Sequence, residues 1–227
     1  MQVLGKCSES FRSFLEEEGL KLLSRLGLEG EVVVMVYERP EELTDYLGDY
    51  FSAGYTTLVV PGGGRIIVVE ENWRSRGREY WPSLLAQALV EALLPPPEVP
   101  GWILGEEAYL LYKALRNYQV HSFLASKGVY YSVKEVERML DWVVRDISRL
   151  TPEELSEGSF ALVLVIAIAL SSAWPYKEVA SIGGRINAVL GVLPPSWREA
   201  LLEGLRGGVK ELEKRLRGLY EASNLPR

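Results

Sequence analysis

The residues able to do chemistry in this chain are few, and their scarcity is informative. There is one histidine, His121, and one cysteine, Cys7. A site needing two imidazoles is excluded within one chain. So are zinc sites built from four cysteines, or from two cysteines and two histidines. One cysteine allows no intramolecular disulfide and fits a reducing compartment. His121 follows Asn117-Tyr118-Gln119-Val120 and is read as lying just past a helix, packed or solvent-facing, with no paired nucleophile. No G-x-S-x-G elbow accompanies it. Carboxylates remain: Glu91, Glu106 and Glu107 could gather around a hard cation, which accepts oxygen ligands. The competing reading makes them solvated or salt-bridged helix carboxylates.

Two further stretches invite a functional reading. Gly62-Gly63-Gly64 lacks the Gly-Lys-Ser/Thr ending and the following helix of a phosphate loop, so it reads as a turn. Arg74, Arg76 and Arg78 stand beside Trp73, Tyr80 and Trp81, a mixture that can stack single-stranded nucleic acid or hold an acidic partner. Glu70, Glu71 and Glu79 neutralise the cluster, and the whole chain carries a net charge of −6. Nucleic acid is therefore not expected as a partner.

The elements that must position these residues follow from periodicity. Ser8 to Leu26 carries Phe11, Phe14, Leu15, Leu22, Leu23 and Leu26 at helical spacing, with serine available as a cap. Glu31–Tyr37 is a β-branched run that predicts a central strand. Pro40 opens a short helix through Tyr46. Tyr55–Val60 and Arg65–Glu70 predict two strands joined as a hairpin through Pro61-Gly62-Gly63-Gly64. Helices are expected at Pro82–Leu94, Trp102–Tyr118, Val133–Leu150, Tyr176–Leu190 and Ser196–Ala222. Phe160–Leu170, extended through Trp174, is apolar on every side. It is shorter than the roughly 20 residues of a spanning helix, so it predicts a central core helix and no membrane. Strands in the first third and helices thereafter give an α+β fold, a small mixed sheet packed on helices with a mostly helical C-terminal half. The chain is read as a part spanning 1–118 and a helical part spanning 119–227, or as one continuous domain.

The stretch Glu31–Tyr112 resembles the catalytic half of the zincin metallopeptidases, in their gluzincin branch. The order there is strand, short helix, edge hairpin, zinc helix, and a second helix with the third ligand. The zinc helix reads roughly L-A-H-E-L-x-H-x-L, and this chain has Leu85-Ala86-Gln87-Ala88-Leu89-Val90-Glu91-Ala92-Leu93. The apolar positions agree, but Gln87 and Glu91 stand where the two histidines would be and Ala88 stands for the catalytic glutamate. The second helix reads roughly P-x-W-L-x-E-G-x-A, against Pro100-Gly101-Trp102-Ile103-Leu104-Gly105-Glu106-Glu107-Ala108. Gly105 occupies the third ligand's position, and Glu106 that of its glycine neighbour.

The resemblance implies a zincin-like fold whose chemistry is lost at two steps. Residues i and i+4 share a helix face, which is why paired histidines there chelate one ion, and the intervening glutamate takes a proton from the bound water. Glutamine is a poor ligand and alanine accepts no proton. No catalytic residue, metal or cofactor is expected, and the chain leans away from being an enzyme. Active members bind an extended peptide along the sheet's edge strand, by resemblance Arg65, Ile66, Ile67, Val68, Val69 and Glu70. Backbone pairing there survives loss of metal. The reading is a non-catalytic metallopeptidase-like protein with a peptide or protein partner. The alternatives are a hydrolase using Glu91, Glu106 and Glu107, or a structural or assembly protein using its six tryptophans. The N-terminus shows no basic region ahead of an apolar one, so a cytoplasmic location is expected. Scarce Asn and Gln, with Glu far outnumbering Asp, give a thermophile-like composition.

Overall fold

The computed structural model describes residues 1–37, 55–59, 64–70, 73, 77–98, 100–151, 154–155 and 159–223. Among them are eight α-helices and a four-stranded mixed sheet, an α+β arrangement. The helix expected from Pro40 to Tyr46 and the turn residues Pro61, Gly62 and Gly63 lie outside the described residues. No described helix is long and apolar enough to cross a membrane. The chain divides into two compact units, Met1–Pro95 with Ser126–Ser132, and Pro96–Ala125 with Val133–Arg227.

In the first unit, strand β1 (Gln2–Gly5) leads into helix α1 (Glu9–Leu26), then strand β2 (Val32–Tyr37). Ser8 caps α1 by accepting from the Phe11 amide at 3.3 Å, and Gly27 ends it at φ +63°, a conformation open to glycine at little cost. Phe11, Leu15, Leu22 and Leu26 form the buried stripe of α1, as their spacing predicts. Strands β3 (Tyr55–Val59) and β4 (Arg65–Glu70) pair antiparallel, as expected for a hairpin. The sheet order is β1-β2-β4-β3, with β1, β2 and β4 parallel. Val3, Val34 and Ile67 sit in register across three strands and are all buried. Helix α2 (Trp81–Leu93) packs against β3, β4 and α1.

The sheet order corrects the expected edge. Residues Arg65, Ile66, Ile67, Val68, Val69 and Glu70 form an internal strand, paired with β2 on one side and β3 on the other. The reason lies in side-chain chemistry. RIIVVE brings a buried β-branched run that suits a strand covered on both sides, whereas YTTLV mixes in two threonines and suits the rim. Among the described residues the outermost strands are β3 and β1. β1 was not expected from the sequence. It is four residues long with only Val3 buried, too short to show a period.

The second unit is helical: α3 (Gly105–Ser126), α4 (Val133–Ile147), α5 (Phe160–Ala173), α6 (Ala180–Val192), α7 (Pro195–Gly207) and α8 (Val209–Ser223). Helix α5 is the apolar stretch, and α4, α6, α7 and α8 all pack on it, as its lack of a polar face demands. Arg185 of α6 grips Asp141 of α4 with Nε and Nη2 at 2.7 and 3.2 Å. Several boundaries depart from expectation: α4 ends at Ile147 rather than Leu150, and α6 begins at Ala180 rather than Tyr176, which lies in a 3-10 turn. Helix α3 begins at Gly105 and continues past Tyr118, because burial of Val120, His121 and Leu124 outweighs their modest helix propensity. The helix expected over Ser196–Ala222 is broken at Gly208, φ +88°. There α7 and α8 fold onto each other so closely that a Cβ on Gly204 would lie 2.9 Å from Leu212 Cα.

Candidate functional site

Helix α2 is apolar except for one stripe. Trp81, Leu84, Leu85, Ala86, Ala88, Leu89, Val90 and Ala92 are all buried. Ser83, Gln87 and Glu91 recur every fourth residue, which stacks them on one face. This stripe contains both positions, Gln87 and Glu91, that the zincin resemblance assigns to the two histidines of the zinc helix.

Each side chain on the stripe has a protein partner. Gln87 Nε2 donates to Ser83 Oγ at 2.9 Å and to Ser132 Oγ at 3.2 Å. The two serine hydroxyls lie 2.9 Å apart, both fully enclosed. One of them donates to the other, so the three side chains close a small buried network. Ser132 is brought there by the segment Ser126–Ser132, which belongs to the first unit. Arg25 Nη2 holds that segment by donating to Gly128 O at 2.7 Å. One turn further along α2, Glu91 Oε1 accepts from the Tyr55 hydroxyl at 3.1 Å. Ala88 shows no exposed surface at all.

Gly105, Glu106 and Glu107 are in the second unit, at the start of α3. Gly105 adopts φ +67°. Glu106 is exposed and Glu107 half-buried, and carboxylates in a first turn complement the positive end of the helix dipole. Among the described residues no group of three or more His, Cys, Asp or Glu side chains could hold a metal ion.

His121 lies inside α3, not beyond it. It is buried, with Nδ1 3.2 Å from the Tyr176 hydroxyl and the two rings edge-to-face at 5.7 Å. Burial pushes its imidazole down from 6.5 to about 4. This is a neutral, packed histidine.

The aromatic residues of the arginine cluster are likewise structural. Trp73, Tyr80 and Trp81 are buried. Phe11 meets Trp73 at 5.3 Å and Trp81 at 4.8 Å, edge-on in both pairs. Arg78 lies over the Trp81 ring at 5.4 Å, and Arg74 and Arg76 fall outside the described residues. Rings packed this way offer no face for a nucleic-acid base.

Sequence reasoning missed Ser83, Ser132 and Tyr55. Ser83 had a signal, since it extends the Gln87–Glu91 spacing back by one turn. Ser132 and Tyr55 had none, being 45 residues from Gln87 and 36 from Glu91. No family model, curated protein or solved structure matches the chain.

Proposed function

We propose that this chain is a non-catalytic, metallopeptidase-like protein of zincin-like build that binds an extended peptide or protein segment along β3. One observation carries the reading. The positions aligned with the two histidines hold Gln87 and Glu91, both engaged by neighbouring side chains, and the position aligned with the catalytic glutamate is a buried alanine. The helix face is knitted into the protein and is not poised around an ion.

The binding edge moves from β4 to β3, the outermost antiparallel strand among the described residues. Strand addition relies on backbone groups, with side chains giving register. The other rim is tended differently. Arg12 Nη1 and Nη2 donate to Val3 O and Gly5 O of β1, both at 2.7 Å. A charged side chain on edge carbonyls discourages further pairing.

The test joins metal content, proteolysis and peptide binding on the purified full chain. Elemental analysis is expected to find substoichiometric zinc, and an unstructured protein substrate is expected to remain uncut. A displayed library of random peptides is expected to yield extended binders, lost in a folded Thr56→Lys/Leu58→Lys variant. Stoichiometric zinc with cleavage would refute the reading, as would binders indifferent to those two substitutions.

A further inference from the structure

We draw no further inference here: the strongest candidate, the 560 Å³ apolar cavity of the helical unit bounded by Ile147, Leu150, Leu155, Leu193 and Pro194, carries nothing because no feature of the structure shows what would occupy it.

Discussion

The Tyr55 hydroxyl donates to Glu91 Oε1 across 3.1 Å, joining the outermost strand to helix α2. The tyrosine is almost fully buried and the carboxylate half-buried. Tyr55→Phe removes the donor and leaves an acceptor that water can partly serve. A loss of about 1 kcal/mol in urea unfolding is expected. On a Glu91→Ala background the same substitution should cost clearly less. Equal costs in both backgrounds would show that the pair contributes nothing.

Ser83, Ser132 and Gln87 act as a unit, so their substitutions should not add. Ser132→Ala deprives buried Ser83 and half-buried Gln87 of a partner and should cost about 1–2 kcal/mol. Ser83→Ala/Ser132→Ala should cost less than the two singles summed, because each single change already breaks the one hydrogen bond between the two hydroxyls. Simple additivity in chemical denaturation would contradict a closed network.

Placing a glutamate at position 88 should fail. Ala88 is sealed, so Ala88→Glu forces a carboxyl group into the interior at a cost of about 3 kcal/mol or more. Gln87→His and Glu91→His, at half-buried positions, should be milder. The comparison is made by the denaturation midpoints of the three variants. If Ala88→Glu proves as stable as the parent, Ala88 is not sealed and the packing of this side of α2 is wrong.

Acid should weaken the fold through His121. Its imidazole titrates near 6.5 when unfolded and at about 4 when folded. Between those values the unfolded chain holds a proton that the folded chain lacks. Stability is therefore fully present above pH 6.5, falls as pH drops toward 4, and levels off below. The contribution over that window is about 3 kcal/mol. His121→Phe should flatten this part of the profile, at some cost at neutral pH because the hydrogen bond between His121 Nδ1 and the Tyr176 hydroxyl is lost. An unchanged slope in the variant would mean that His121 is not the titrating group.

How far the sequence could be read depended on the range of the forces involved. The stripe Phe11, Leu15, Leu22 and Leu26, the Ser8 cap and the buried helix at Phe160 were legible, because propensity, capping and period all act within a few residues. Gln87 and Glu91 were legible as a pair on one face for the same reason. Strand order was not. Both strands of the hairpin could be named, yet which one faces outward depends on pairing with β2, a contact between Val34 and Ile67 far apart in the chain. Ser132 and Tyr55 joined the stripe by the same kind of distant contact. The break at Gly208 was hidden by Leu201, Leu205, Leu212 and Leu216, all buried and spaced as one helix would space them.

Helix α5 has a consequence for how this protein comes to exist. Phe160–Ala173 carries no charge and has ten of its fourteen residues buried, so no orientation makes it comfortable in water. Three of the helices that shield it, α6, α7 and α8, lie later in the chain. During synthesis, this segment leaves the ribosome before its wrapping does. A nascent chain stalled at that point displays a sticky rod, the kind of surface that holdase chaperones grasp.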